Sequence, residues 1–218
     1  MKNIPRIFVG NNVDTGMTMP VGRDVAHYLT RVMRTSEFLA FGGGREFTAV
    51  LSADGKSMII GADTGHVDPS GDITLMFAPI KRADDLINMA TQLGVARILP
   101  VITERTTAHH INWDRMRRIA VEASEQSNRN SVPEICAPIK FSDLDLSNIA
   151  FADERAAHGM NPARATDLRT ILVGPEGGFS DAEFAALDAA GAVGVSLGKT
   201  ILRAELAAAA AIIRVGAK

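Results

Sequence analysis

Ile171-Leu-Val-Gly-Pro-Glu-Gly-Gly-Phe-Ser180 is the stretch that decides the fold of this chain of 218 residues. Its apolar start predicts a β-strand, and the glycines that follow predict a tight turn. Ser180-Asp-Ala-Glu183 then shows the capping-box pattern of a helix N-terminus. The glycines would let a ligand approach the main chain closely, although the turn also fits a simple connection between a strand and a helix.

The ligand suited to this turn is constrained by what the turn lacks. A phosphate-binding loop needs Gly-x-x-x-x-Gly-Lys-Ser/Thr, and neither that spacing nor that lysine occurs between Gly174 and Ser180. The dinucleotide pattern Gly-x-Gly-x-x-Gly is absent as well. Glu176 disfavours an anionic pyrophosphate and suits a ligand with ribose hydroxyls, an adenine edge and a positive charge. S-adenosylmethionine fits that description.

A second glycine-bearing turn lies in Val195-Ser-Leu-Gly-Lys-Thr-Ile-Leu-Arg-Ala-Glu205. Its glycine ends a predicted strand, and Ile201 to Arg214 predict a helix because these residues are rich in alanine and leucine. The first turn of that helix carries Arg203 and Glu205, a polar pair that a core helix does not need. The alternative is a surface ion pair of little energetic worth.

Residues 72–218 alternate between strand and helix patterns, which predicts an α/β domain with a mostly parallel sheet and helices on both faces. The predicted strands are Ile73–Ala78, Ala96–Val101, Ile149–Ala152, Thr170–Gly174 and Val193–Leu197. The predicted helices are Arg82–Leu93, Trp113–Asn128, Asp181–Ala190 and Ile201–Arg214.

Residues 1–69 instead show short β segments around one helix, which predicts a small β-barrel domain. Ala53-Asp-Gly-Lys56 is the predicted hairpin turn of this barrel. Val67 to Asp72 is dense in turn formers and is the predicted linker to the second domain.

Positive residues cluster in the N-terminal region, although the formal charge of the whole chain is −2. Arg23, His27, Arg31 and Arg34 recur at spacings of four, four and three, so an α-helix here would place them on one face. Such a local basic patch suits RNA. From charge alone, a solvated helix face with intervening acids such as Asp24 is the simpler explanation.

Other residues predict no disulfide, metal site or membrane span. Cys136 is the one cysteine and is predicted to be a buried structural thiol rather than a nucleophile or metal ligand. His109 and His110 are adjacent, so they cannot form an i, i+4 ligand pair on a helix. No apolar run approaches the ~20 residues of a membrane helix, and no signal peptide precedes the first strand. We therefore expect a cytoplasmic protein.

Several blocks, in order along nearly the whole chain, resemble the RsmE-type ribosomal RNA methyltransferases of the SPOUT (trefoil-knot) superfamily. These blocks are His27–Arg34, Leu93-Gly-Val with Pro100, Thr103-Glu-Arg-Thr106, Glu122–Arg129 with Pro133, Gly174–Ser180, and Leu197-Gly198 with Ile201–Glu205.

The resemblance implies a SPOUT domain over residues 72–218, with a C-terminal trefoil knot that binds S-adenosylmethionine. It implies a PUA-like RNA-binding barrel over residues 1–69. The implied protein is a homodimer that methylates N3 of a uridine in the 16S RNA of the small ribosomal subunit. The cofactor residues implied by the resemblance are Leu172, Val173, Gly174, Pro175, Glu176, Gly177, Gly178, Ser196, Leu197, Gly198, Ile201, Leu202 and Arg203.

The resemblance also suggests roles for the charged residues. Uridine N3 becomes nucleophilic only as its proton leaves, so we expect Arg203 to hold the target base or its developing negative charge. Glu205 is expected to orient Arg203 or to relay the proton. The RNA-binding residues implied are Arg23, His27, Arg31, Arg34, Arg105 and Arg129, and Arg105, Arg129 and Glu125 are candidates to serve the partner's site.

The chain departs from the family pattern at a few positions. Met89 and Gln92 replace a usual lysine and glutamate, Lys199-Thr200 replaces Pro-Arg, and Leu206 replaces a threonine. The hydroxyl lost at Leu206 leaves open an altered substrate. Two other functions therefore stay open: a SPOUT enzyme that modifies a different RNA position, and an RNA-binding or assembly factor without catalysis. A nucleotide-binding Rossmann protein is disfavoured by the missing glycine patterns.

Overall fold

The computed structural model describes residues 4–107, 110–155 and 168–216. The chain divides into two compact units, Met1–Ser70 with Val121–Val132, and Gly71–Ala120 with Pro133–Lys218. The first boundary falls in the predicted linker, and residues 64–73 contain neither helix nor strand. The predicted N-terminal domain did not include residues 121–132, which join it through contacts that are distant in sequence.

The N-terminal unit contains a five-stranded sheet in the order β1-β3-β4-β5-β2. Its strands are β1 (Arg6–Phe8), β2 (Thr18–Pro20), β3 (Glu37–Gly42), β4 (Arg45–Leu51) and β5 (Ser57–Asp63). β1 pairs parallel with β3, and the other neighbours are antiparallel. A barrel was predicted here, whereas the described pairings give an open sheet with β1 and β2 at its edges.

Alternation along β4 explains why this sheet forms. Phe47, Ala49 and Leu51 are buried, whereas Thr48 and Val50 between them are exposed. The buried side chains join one apolar core with Phe38 of β3 and other residues of the unit. The predicted hairpin turn is confirmed: residues 52–56 join β4 to β5, and Gly55 takes a φ of +69° that favours glycine.

The predicted basic helix is only partly α-helical. α1 covers Arg23–His27, and Tyr28–Met33 continues as a π-helix. Arg34 follows the helix in the left-handed conformation, with φ 52° and ψ 48°. The spacing of four, four and three therefore does not place all four basic residues on one α-helical face, because the turn widens after residue 27.

The C-terminal unit contains a seven-stranded sheet in which every described pairing is parallel. Its strands are β6 (Thr74–Phe77), β7 (Arg97–Ile102), β8 (Glu134–Ile135), β9 (Ile139–Lys140), β10 (Ala150–Ala152), β11 (Thr170–Val173) and β12 (Val193–Val195). The order is β12-β10-β11-β6-β7-β8, and β9 also pairs with β7. Ile171, Leu172 and Val173 are all buried, so both faces of β11 are covered, as in a parallel α/β sheet.

The described residues contain four further α-helices: α2 (Ala83–Gln92), α3 (Trp113–Gln126), α4 (Asp181–Ala189) and α5 (Ala204–Gly216). Phe184 and Leu187 of α4 share a core with Phe151 and Leu172 of the sheet. α5 packs against α2, β6, β10 and β11. The predicted α/β fold with a mostly parallel sheet is therefore confirmed for this unit.

Of the two helix starts predicted near the end of the chain, one is confirmed and the other is wrong. The capping box is confirmed at α4: Glu183 N donates to Ser180 Oγ at 3.3 Å, and Ser180 N donates to Glu183 Oε2 at 2.9 Å. The predicted start of the last helix at Ile201 is wrong, because α5 begins at Ala204. Ala207 N donates to Arg203 O at 2.7 Å, so Arg203 precedes the first helical residue and is not inside the helix.

Candidate functional site

Three neighbouring parallel strands, β12, β10 and β11, end at the same edge of the C-terminal sheet. A cavity of about 330 Å³ lies beyond their carboxyl ends. Its walls come from the residues that follow each of these strands and from the starts of α4 and α5. The carboxyl edge is where open parallel α/β sheets bind ligands, because the loops that leave the strands converge there.

Both glycine-bearing turns of the sequence meet at this cavity. From the first turn, Val173, Gly174, Pro175, Glu176 and Gly178 line it. From the second, the lining residues are Leu197, Gly198, Ile201, Leu202 and Arg203. The structure thus brings together two segments that α4 and β12 separate in sequence.

Three of the predicted cofactor residues do not line the cavity. Leu172 is fully buried in the apolar core beneath it. Ser196 precedes the lining segment of the second turn, and Gly177 faces a neighbouring open cleft that Lys81 and Arg105 also line. Leu172 precedes the cavity-lining Val173, and successive residues of a strand face opposite sides of a sheet.

Sequence reasoning missed the third wall, formed by Ala152 at the end of β10 and by Asp153 and Glu154 after it. Ile149 to Ala152 was predicted as a strand, and the carboxyl ends of neighbouring parallel strands share one edge. The strand order would have been needed to use that signal. Lys199 and Thr200 also line the cavity, at the positions where the chain departs from the family pattern.

Gly178 lies where both backbone conformation and space favour glycine. Its φ is +67°, and a Cβ at this position would lie 2.8 Å from Glu154 Oε1. The Glu154 carboxylate therefore occupies the room that a side chain at residue 178 would need. The first turn and the loop that follows β10 therefore lie close together at Gly178.

Arg105 and Glu183 fix the first turn from outside the cavity. Arg105 Nη1 donates to Gly177 O at 3.0 Å and to Phe179 O at 3.1 Å. The buried Glu183 carboxylate accepts from Glu104 N at 2.8 Å through Oε1, in addition to its capping bond. Arg105 was predicted to bind RNA, but here its guanidinium is engaged by carbonyl oxygens of the turn.

Arg203 and Glu205 have separate environments. Arg203 is exposed and lines the cavity. Glu205 is buried, and its Oε1 lies 3.8 Å from Nε of Arg82 in the turn before α2. Within the described residues, no ion pair joins Arg203 to Glu205. Glu205 also sits in the first turn of α5, where the helix dipole favours a carboxylate.

An ion-pair network lies behind the wall formed by residues 152–154. Arg155 donates to both carboxylate oxygens of Asp153 at 3.0 Å and to both of Asp188 at 3.0 and 3.1 Å. Its guanidinium also lies 3.8 Å from the ring centre of Phe184, which lines the cavity. The hydrogen bond from Arg155 lowers the pKa of Asp188 below its usual range. Of the three acidic residues that line the cavity, Asp153 is therefore paired with Arg155, whereas Glu154 and Glu176 are not part of this network.

The residues predicted to contact RNA differ in accessibility. Arg23, His27, Arg31 and Arg34 are exposed in the N-terminal unit. Arg129, in contrast, is only 1% exposed and therefore does not form an open binding surface in this chain. Desolvation by burial lowers the pKa of its guanidinium.

Arg6 holds residues 121–132 against the sheet of the N-terminal unit. It forms a buried ion pair with Glu46 at 2.7 Å and donates to Arg129 O at 2.9 Å and to Asn130 Oδ1 at 2.8 Å. Phe8 N donates to Glu125 Oε1 at 3.1 Å. Burial, together with the charge of Glu122, raises the pKa of Glu125.

The remaining sequence predictions concern residues away from the cavity. Leu206 is 52% exposed and does not line the cavity, so its missing hydroxyl is not a gap in the described wall. Cys136 is half-buried, and burial raises the pKa of its thiol. Over the described residues, no three histidine, cysteine or acidic side chains form a metal-sized group; His109 lies outside them. None of the helices described is long and apolar enough to cross a bilayer.

The fold and the cavity define a small-molecule-binding α/β domain whose site is built mainly from backbone turns. Residues 67–216 match the family model described as an RNA methyltransferase domain. Ribosomal RNA small subunit methyltransferase E of Rickettsia conorii is 32% identical, over 96% of this chain and 94% of that protein. The protein of the same name from Aquifex aeolicus is 30% identical, over 84% of this chain and 87% of its own length.

A solved structure agrees with these relatives. The crystal structure of ribosomal RNA small subunit methyltransferase E from Neisseria gonorrhoeae, bound to S-adenosyl methionine, has a TM-score of 0.81 and 28% identity to this chain. The match covers 96% of this chain and 95% of that one. The chain therefore belongs to the RNA methyltransferase family, among the proteins named ribosomal RNA small subunit methyltransferase E.

Proposed function

We propose that this protein transfers a methyl group from S-adenosylmethionine to N3 of a uridine in the 16S RNA of the small ribosomal subunit. The observation that carries the proposal is the cavity at the carboxyl edge of the sheet, where the two glycine-bearing turns meet. The family relationship supports the substrate class. The choice of uridine N3 rests on the sequence resemblance.

The cavity suits S-adenosylmethionine in size and in chemistry. Its volume of about 330 Å³ falls in the range of small-molecule sites. Gly174, Gly178 and Gly198 line the cavity without side chains, so an adenine edge or ribose hydroxyls could approach the main chain closely there. Glu154 and Glu176 supply negative charge for a cationic ligand. Val173 to Gly178 and Leu197 to Arg203 would hold the cofactor.

The bound cofactor would supply an electrophilic methyl group, so the protein has mainly to align the acceptor and manage its proton. Arg203 is the residue that suits the second task, because it is exposed at the cavity and its cation would stabilise a uridine anion. The proposed proton-relay role of Glu205 has less support, because its carboxylate is buried beside Arg82. We propose that Glu205 instead anchors the start of α5.

We also propose a trefoil knot in residues 72–218. The meeting of the turns at residues 173–178 and 197–203 around one cavity supports this topology. For residues 1–69 we propose a PUA-like RNA-binding domain, which the exposed Arg23, His27 and Arg31 support. The cytoplasmic location stays a prediction.

A homodimer is supported by an apolar stripe on α5. Leu206 and Ile213 are seven residues apart, which places them on one helix face, and they are 52% and 58% exposed. A second copy of the chain would cover this stripe. Leu206→Glu should then shift the protein to monomer in sedimentation velocity, whereas Val67→Glu, at an exposed linker position, should not. A wild-type monomer at all concentrations would sink this part of the proposal.

Calorimetry with S-adenosylmethionine tests the cofactor assignment. Ala207 lines the cavity from α5, whereas Ala209 on the same helix does not. Ala207→Leu should weaken binding by filling the cavity, and Ala209→Leu should leave it unchanged, because leucine and alanine are both good helix formers. A wild-type protein that binds neither S-adenosylmethionine nor its demethylated product at millimolar concentration would overturn the enzyme proposal.

A further inference from the structure

Gly177 and Gly178 of the first glycine turn have no side chains that could pack against the rest of the protein. The turn is closed by Gly178 N donating to Pro175 O at 2.9 Å, and Gly178 carries the left-handed φ of +67°. Glycine loses more conformational entropy on ordering than any other residue. The cavity wall therefore depends on groups outside the turn to keep one shape.

Arg105 provides the first of these groups. One nitrogen, Nη1, donates to the carbonyl oxygens on both sides of Gly178, those of Gly177 and Phe179. A cationic donor makes these bonds stronger than bonds between neutral groups. The two carbonyls are thus held toward a common point, which fixes the curvature of the turn at Gly178.

Glu183 provides the second group. A capping box uses one carboxylate oxygen of the residue at this position, and here Oε2 accepts from Ser180 N at 2.9 Å. The other oxygen, Oε1, accepts from the backbone N of Glu104 at 2.8 Å, 79 residues away in the sequence. Glu183 is itself buried, so these two N–H donors satisfy a carboxylate that has little access to water.

Both groups act through the same short segment, Thr103–Thr106. Glu104 offers its backbone N–H to Glu183, and the next residue, Arg105, offers its side chain to the turn. The segment is itself rigid: Thr103 N donates to Thr106 Oγ1 at 2.9 Å, and the two hydroxyl oxygens lie 2.8 Å apart, both buried. Thr103–Thr106 is therefore hydrogen-bonded both to the glycine turn, through Arg105, and to the start of the helix that follows it, through Glu104.

We propose that Arg105 and Glu183 are positioning residues for cofactor binding. They act through the turn that walls the cavity, since neither side chain lines the cavity itself. The proposal rests on the function proposed above, and it assigns Arg105 a role other than the RNA contact expected from sequence. Pre-organising this turn lowers the entropy that a ligand must otherwise remove on binding.

Calorimetry with S-adenosylmethionine, combined with binding of a 16S RNA transcript, separates the two roles of Arg105. Arg105→Ala should weaken cofactor binding about tenfold, because two charge-assisted bonds to the turn are lost, and should leave RNA affinity within about twofold. Arg105→Lys should recover part of the cofactor affinity. Glu183→Gln should also weaken cofactor binding. The amide NH2 group cannot accept a hydrogen bond, so one of the two N–H donors loses its partner.

Arg97→Ala is the matched control. Arg97 is an exposed arginine of the same unit that pairs with Glu134 at 3.3 Å and does not line the cavity. Its loss should change neither affinity. The proposal is overturned if Arg105→Ala keeps cofactor affinity, if it lowers only RNA affinity, or if both affinities fall equally with a lower melting temperature. A wild-type protein that does not bind S-adenosylmethionine would instead refute the proposed function.

Discussion

Glu205 pairs with Arg82, with 3.8 Å between Oε1 and Nε, although Arg203 is two residues away from it in the sequence. The ion pair links the start of α5 to the turn before α2, and these two helices pack against each other. Arg203, in contrast, lies before the first residue of α5 and lines the cavity. Glu205 is therefore paired with Arg82, whereas Arg203 is exposed at the cavity.

Arg203→Ala should slow methyl transfer about 100-fold in a single-turnover assay at saturating cofactor, because a cation at the developing anion is removed. The free energy of unfolding should change by less than about 0.5 kcal/mol, since the side chain is exposed. Arg214→Ala, at an exposed arginine in the last turn of α5, is the control. Near-normal transfer by the Arg203 variant would show that another residue stabilises the uridine.

Glu205→Gln should have a small effect on the rate of methyl transfer. It should lower the free energy of unfolding by no more than about 1 kcal/mol, because Arg82 is largely exposed and water screens the pair. Urea denaturation of the two single variants and of Glu205→Gln with Arg82→Ala measures the coupling. A large loss of rate in Glu205→Gln, with stability unchanged, would restore the proton-relay role.

Gly178→Ala should destabilise the protein by about 1 kcal/mol or more, because an L-residue is strained at a φ of +67°. The new Cβ would also meet Glu154 Oε1 at 2.8 Å. Adding Glu154→Ala to this variant should recover the part of the stability loss that comes from the clash with Glu154. The part that comes from backbone strain should remain. Thermal melting of the single and double variants checks this. Equal stability of Gly178→Ala and wild type would mean that the turn has another conformation.

Glu125→Gln should stabilise the protein near pH 7, and the gain should vanish at low pH. Burial raises the pKa of Glu125 in the folded protein, so its ionised carboxylate lowers the free energy of unfolding. At low pH the carboxyl group is protonated in both the folded and the unfolded protein, and this cost is absent. The cost appears as the pH rises through the pKa that Glu125 has in the unfolded protein. Glutamine still accepts the bond from Phe8 N. Urea denaturation at about pH 7 and about pH 3 compares this variant with the exposed control Glu37→Gln. A gain that persists at low pH would contradict the electrostatic origin.

Local sequence patterns were sufficient for most elements of the C-terminal unit. β11 was predicted over Thr170–Gly174 and observed over Thr170–Val173, and the capping box fixed the start of α4. β8 and β9 were missed because two residues are too few for any periodicity. The π-helix after His27 was missed because the spacing of charges carries no information about the width of a turn.

The site was predicted in part, for a similar reason. Its two glycine turns have local signatures, so most of their residues were predicted and lie at the cavity. Two other features depend on which strands and loops become neighbours. They are the cavity wall at Asp153 and Glu154 and the hydrogen bond from Arg105 to Gly177 O. Those contacts join residues far apart in the chain, and a single sequence gives no register between them.

Mass spectrometry of nucleosides tests the central claim most directly. Small ribosomal subunits from a strain that lacks this protein would be incubated with the purified protein and S-adenosylmethionine, and their RNA digested to nucleosides. We predict that 3-methyluridine appears in the 16S RNA with the wild-type protein and is strongly reduced with Arg203→Ala. A wild-type protein that binds the cofactor but yields no new methylated nucleoside, or a methyl group on another atom, would contradict the claim.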